Sequence, residues 1–304
     1  MATRTQERRL AFLATALPPI AWVVVFFLVP LGIVWAYSFG QNQGLTEVDI
    51  SGTFANYTRA LQPLYLQIFA KSIFVAGVTT LLCLIIGFPV ALAIVFASER
   101  WRPWMLLLIM LPFWTNLLIR TYALIAVLRT EGYANFTLEW LWNQGSWLMT
   151  LVGLQPLGDF TPLQMLYSNF AVVVGLVYVH LPFMVLPLYA ALDRLDKSLI
   201  EASLDLGAGQ FRTLFSIVVP LALPGILSGI IITFVPALGA YLTPDLLGGP
   251  DSQMIANVIE RQFKRANDWP FGAALSFLLM YATFAVIAFR AYAARGKPAD
   301  GHGI

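Results

Sequence analysis

Apolar residues run along this chain in long, nearly charge-free blocks separated by short polar stretches. A bilayer span needs about 20 mostly apolar residues, and a soluble core has no use for blocks of that length. Six blocks meet the requirement: Leu10–Tyr37, Ser72–Ala97, Pro103–Leu128, Ser168–Leu192, Thr213–Leu238 and Phe271–Phe289. Gly87, Pro89, Pro112, Pro182, Pro187, Pro224 and Pro236 lie inside them. Membrane helices tolerate such residues where neighbouring helices satisfy the freed backbone groups. The pattern predicts an all-α integral membrane protein of six kinked transmembrane helices around a pathway. Trp140–Gly158 is also uncharged, but its Asn, Gln, Gly, Ser and Trp residues suit an interfacial helical segment on the outer side.

Composition sharpens this picture. Of 304 residues, 59% are hydrophobic and 11% charged, against about 25% charged in soluble domains. The net charge of +2 says little, but its distribution orients the chain. With six spans, one side holds Arg4, Arg8, Arg9, Arg100, Arg102, Arg194, Lys197, Arg212, Arg295 and Lys297. The other holds fewer bases and most of the acids, among them Glu47, Glu131, Asp245 and Asp268. The basic side reads as cytoplasmic, with both termini on it. The first block is too long for a cleavable signal. Cys83 is the single cysteine, and His180 and His302 lie far apart, so no metal set and no catalytic constellation is expected. Nothing points to a nucleic-acid partner. No Asp or Glu falls inside a block, which counts against an ion-coupled secondary transporter.

The polar loop Asp193–Ala208 carries the most information. Ser198 followed by Glu201 has the form of a capping box, and it predicts a short helix over Leu199–Leu206. Gly207 is placed to end that helix with positive φ. Two turns of helix are not stable alone. With Leu199, Ile200, Leu204 and Leu206 apolar, the helix either docks a cytoplasmic partner or lies on the membrane.

The string Glu201-Ala202-Ser203, three residues, Gly207, nine residues, then Ile217-Val218-Val219-Pro220 resembles the EAA loop of binding-protein-dependent ABC importer permeases. Ser203 stands for the family's second alanine and Val219 for its leucine. Further strings, Pro112–Tyr122, Pro182–Tyr189 and Tyr241–Asp251 followed by Asp268-Trp269-Pro270, are similar to polyamine-type permeases. The likeness is strongest to the first permease of spermidine/putrescine importers, and opine-type permeases share the strings.

The resemblance implies a type I ABC importer permease fold with a cytoplasmic coupling helix, in a bacterial inner membrane. It implies that Ser198, Glu201, Ala202, Ser203, Gly207 and Pro220 couple to an ATPase. The implied partners are a dimer of ATP-binding cassette subunits, a second homologous permease, an extracytoplasmic solute-binding protein and membrane lipid. This chain has no G-x-x-x-x-G-K-[ST] phosphate loop, so ATP and Mg²⁺ belong to the partner ATPase and this chain binds no cofactor. The expected organisation is 1–66 (tail, first span, outer segment), 67–293 (core with five spans and the coupling loop) and 294–304 (cytoplasmic tail). A polycationic solute calls for carboxylates and aromatic faces. Trp114, Tyr122, Glu131, His180, Tyr241 and Asp245 are the pathway candidates. The aromatics are also packing or belt types, Asp245 a turn type, and His180 a hydrogen-bonding type. Trp114 lies eleven residues past Pro103, about 16 Å deep.

Overall fold

The computed structural model describes residues 15–43, 47–155 and 157–295. The start of the first expected span, the N-terminal arginines, Lys297, His302 and residues 296–304 of the expected tail lie outside the described residues. Every long element is helical, and the strand content described is one small hairpin, Gln41–Asn42 with Val48–Asp49.

Four helices are long and apolar enough to cross a membrane: α1 (Thr15–Tyr37), α3 (Pro63–Phe96), α7 (Asn169–Leu192) and α9 (Gln210–Leu238). Between α1 and α3 lies the short helix α2 (Ala55–Ala60). A fifth span comes from two arms, Arg102–Trp114 and Leu117–Leu151, bent by 97°. The sixth expected block is a shorter apolar stretch, Trp269–Ala285. By length and composition the described residues therefore show four helices able to span, or five spans if the bent pair is one.

Within the expected kinked span Pro103–Leu128 the helix is interrupted rather than only kinked. Helix α4 (Arg102–Met110) tightens into a 3₁₀ turn at Leu111–Trp114 and stops, and α5 (Leu117–Leu128) starts afresh. Pro112 offers no N–H, and its ring disfavours a regular turn before it. The Thr115 hydroxyl donates to the Pro112 carbonyl at 2.8 Å. Thr115 and Asn116 are extended, and Asn116 Oδ1 accepts from the Leu118 N–H at 2.8 Å. An asparagine cap inside an apolar run is a helix start, not a kink. After a turn at Arg129–Gly132, α6 (Tyr133–Leu151) covers the first part of the uncharged segment Trp140–Gly158, with Trp140 and Trp147 exposed.

The chain divides into two compact units, Met1–Leu66 with Val258–Ile304, and Gln67–Asn257. In the first, α1 is joined to α12 (Trp269–Arg295) by a Trp35 Nε1–Tyr281 hydroxyl bond of 3.0 Å. Buried Asn56 donates to the carbonyls of Ser38 and Gly40. Arg59 pairs with Asp268 at 2.7 Å and lies 3.9 Å over the Phe271 ring.

The second unit is built on α3, α7 and α9. Cys83, Ala91, Ile94, Met184, Val185, Leu188 and Ala222 form its core. Lipid gives helices little hydrophobic reason to associate, so close approach over small residues replaces it. Gly225 and Gly229 sit one turn apart on α9. A Cβ at Gly225 would strike Ala191 and the Pro187 carbonyl of α7, and one at Gly229 would meet Met184 Sδ at 2.7 Å. Gly87 of α3 faces the same Met184. The short helix α10 (Leu242–Leu247) packs on α5 and α7, and Gly175 leaves room there for Leu247 and Thr243.

Candidate functional site

Four residues after α7 ends, the chain enters α8 (Lys197–Asp205). The expected start at Leu199 and the Ser198–Glu201 capping box are corrected. Asp196 is the N-cap, and its carboxylate accepts the Ser198 N–H at 3.0 Å. Aspartate caps as well as serine does, and the earlier start adds two helical residues. That backbone bond, followed by the Ser198 side chain, holds the Asp196 carboxyl below the usual carboxylate range. The N–H that a capping box would give to Glu201 is therefore taken. The Glu201 side chain is exposed, and among the described residues its carboxylate makes no hydrogen bond or ion pair.

The far end of α8 follows the sequence expectation. Gly207 has φ +80°. Its N–H donates to the Leu204 carbonyl at 2.9 Å, and the Ala208 N–H donates to the Ser203 carbonyl at 3.1 Å. These two bonds form a Schellman motif, which needs a left-handed residue where Gly207 stands. Ser203 turns inward, and its hydroxyl lies 2.9 Å from that of Thr213 at the start of α9. Just beyond, Leu214–Val218 is a π-stretch, closed by the Val219 N–H on the Leu214 carbonyl. Pro220 explains it, because a residue without an N–H breaks the regular ladder one turn back.

The face of α8 splits in two. Leu195 and Ile200 pack on the core with Leu214, so Ile200 is an anchor and not part of an outer face. Ala202, Leu199 and Leu204 are exposed, joined by Leu206 at 89% exposure and Phe211 at 81%. Ser198 and Pro220 are exposed as well. Phe211 and Thr213 escaped the sequence reading. The phenylalanine, a bulky apolar residue in a polar loop, was a usable signal.

The pathway candidates fall into two groups. Trp114 is 76% exposed at the break between α4 and α5. Among the described residues no backbone N–H reaches the carbonyls of Trp114 or Thr115. Its neighbour Phe113 packs edge-on against Phe183 of α7 at 4.8 Å, and Phe183 lies 6.0 Å from the ring of His180. His180 is buried at 5% exposure, with Nδ1 2.8 Å from the Leu176 carbonyl. A carbonyl only accepts, so that nitrogen carries the proton.

The second group lies along α5 and α10. Tyr122 is exposed on α5, and Glu131 is exposed in the turn after it. Glu131 lines a surface pocket of about 430 Å³ with Ala126, Arg129, Gly132, Tyr133 and Phe136. Asn135 fixes that turn through bonds to the Thr130 and Leu163 carbonyls. Tyr241 and Asp245 are exposed on or beside α10, where the Asp245 N–H donates to the Tyr241 carbonyl. Asn257 Nδ2, on α11 (Ile255–Lys264), holds that same carbonyl at 2.8 Å. The packing of α10 on α5 and α7 gathers Tyr122, Tyr241 and Asp245 on neighbouring elements, whereas Glu131 sits in its own pocket.

Comparison with known proteins places this geometry. The family described as "binding-protein-dependent transport system inner membrane component" matches residues 5–296. The spermidine/putrescine transport system permease protein PotB of Escherichia coli is 40% identical over 260 residues, covering 86% of this chain and 89% of that protein. PotB of Haemophilus influenzae is 38% identical over 256 residues, covering 84% of each. In fold, the chain is similar to a chain of a bacterial ABC transporter involved in import of the acidic polysaccharide alginate. The TM-score there is 0.71 at 16% identity, covering 97% of this chain and 98% of that one. The chain belongs to the family of inner membrane components of binding-protein-dependent transport systems.

Proposed function

We propose that this permease forms half of the translocation pathway of an ATP-driven importer for a small organic cation, a polyamine such as putrescine or spermidine. The observation that carries the coupling half of this reading is α8. It is an exposed apolar helix, capped by Asp196, stopped by the Gly207 Schellman motif and carrying an unengaged Glu201. The exposed apolar side chains of Leu199, Leu204, Leu206 and Phe211, with one free carboxylate, suit a socket in a cytoplasmic ATPase dimer that holds the ATP and Mg²⁺. The chain crosses the membrane six times in this reading, with α12 as the sixth span and both termini cytoplasmic. A second, homologous permease completes the pathway, and an extracytoplasmic binding protein delivers the solute.

The solute class rests on the PotB likeness and on chemistry. The break at Thr115–Asn116 leaves the Trp114 and Thr115 carbonyls without a backbone donor, at the same point of the chain as the exposed Trp114 side chain. Unwound carbonyls and aromatic faces favour cations inside a membrane. Tyr122, Tyr241 and Asp245 extend that character outward, Glu131 offers a further carboxylate at its pocket, and His180 backs the break through its hydrogen bond to Leu176. The experiment is uptake by the whole importer in proteoliposomes, comparing putrescine, spermidine and amino-acid-derived amines. Preference for an anionic or neutral solute overturns the solute class and leaves the coupling reading standing.

A further inference from the structure

We propose that α8 and the first turn of α9 form one rigid lever, closed by the Ser203–Thr213 hydroxyl pair, and that the π-stretch Leu214–Val218 is the hinge on which it turns. The inference rests on α8 being the coupling helix and says how its motion reaches the membrane. The turn between the helices has little side-chain support, since a Cβ at Gly207 or Gly209 would meet nothing within 4 Å. Left alone, such a turn would absorb a pull on α8 by bending. Two things resist bending. One is the pair of Schellman bonds. The other is the hydroxyl pair at 2.9 Å, which spans the turn from side to side.

Thr213 is 3% exposed and Ser203 is half-buried. The buried Thr213 hydroxyl has no ready access to water as a substitute partner, which favours keeping the bond to Ser203. The alanine of the family pattern at position 203 could not make it. Ile200, by contrast, rests on an apolar seat of Leu92, Val95, Leu192 and Val218. That contact has no direction and permits sliding. The compliant point lies one residue past Thr213. In the π-stretch the ladder is already displaced, and Pro220 leaves the Ser216 carbonyl without its regular donor. A pull on α8 is thus passed across the glycine turn unchanged and spent as rotation at Leu214–Val218.

The test uses the assembled importer in proteoliposomes. A Ser203→Cys, Thr213→Cys variant is compared oxidised and reduced; Cys83 is buried in the core and stays. The lever requires that the oxidised form import putrescine within twofold of its reduced form. Uptake abolished by oxidation and restored by reduction shows that the turn must flex, and overturns the proposal. A double-mutant cycle supplies a second reading. Ser203→Ala and Thr213→Val should each raise the ATP hydrolysed per solute imported several-fold, the double variant should be no worse than either, and Thr213→Ser should restore the ratio. Additive effects, or none, reject the pair. Failure of the coupling-helix reading looks different: Glu201→Ala and Gly207→Val would then leave the ratio unchanged.

Discussion

Substitution at Gly207 separates backbone conformation from packing, because the site is strained and empty together. Its φ is +80°, and a Cβ there meets no atom within 4 Å. Alanine would therefore clash with nothing, and its cost comes from the left-handed backbone, about 1–2 kcal/mol. Alanine also restricts the unfolded chain, which returns about 0.4–1 kcal/mol. A net loss of about 1 kcal/mol lowers the ratio of formed to unformed turn about fivefold. Valine costs more, since a β-branched residue at positive φ is a true outlier. Asparagine visits this region readily and should stay close to glycine. If the turn gives way, the bonds from Gly207 to Leu204 and from Ala208 to Ser203 go with it. The expected order of solute-stimulated ATP hydrolysis and uptake is Gly, Asn, Ala, Val, at equal levels of inserted permease. Equal uptake by the Asn and Val variants would refute the reasoning, because the two differ in the backbone preference on which it depends.

Other outcomes follow from the same geometry. Gly225→Val should lower the melting temperature of the detergent-solubilised complex, since overpacking costs about 1–3 kcal/mol; an unchanged melting point would mean that α7 and α9 separate freely. Asp245→Asn should cut polyamine uptake several-fold while the isolated binding protein keeps its affinity, and uptake at the normal rate would leave Asp245 a turn former. Cysteine placed at Lys197 should be labelled only from the cytoplasmic side and cysteine at Glu47 only from outside; the reverse would invert the topology. Asp196 is held below the usual carboxylate range by its bond from Ser198. A depressed folded value gives stability that is full above the unfolded value near 4 and is lost as pH falls through the folded one. Amide exchange in α8 should thus be flat from about pH 5 to 8, apart from intrinsic chemistry, and quicken in acid. Asp196→Asn should cap without that acid response, and an identical response in both would remove the cap from the explanation.

The apolar blocks were legible because burial in lipid writes itself into long runs of sequence. In the polar loop Asp193–Ala208 the short helix was legible, and so was the role of Gly207 in ending it, because a helix stop is a local affair. The helix start was misread between two good caps: Ser198 has the three-residue spacing to Glu201, but Asp196 closes a four-residue connection and lets Leu195 reach the core. The break at Asn116 was hidden because Pro112 alone is compatible with a continuous kinked span. Only the asparagine cap distinguishes the two. Gly225 and Gly229 were in plain view as a small-xxx-small pair. The Ser203–Thr213 bond was not legible, since it depends on how the turn folds back.

Met184, held between Gly87 and Gly229, bears on how this protein behaves once taken out of its membrane. A contact made by expelling water changes strength with the solvent around it. This one is made by atoms touching at van der Waals distance, with no solvent in the joint. Detergent can replace every lipid on the outer surface and leave that joint as it was. The packing of α3, α7 and α9 around Met184 should therefore survive the exchange of lipid for detergent.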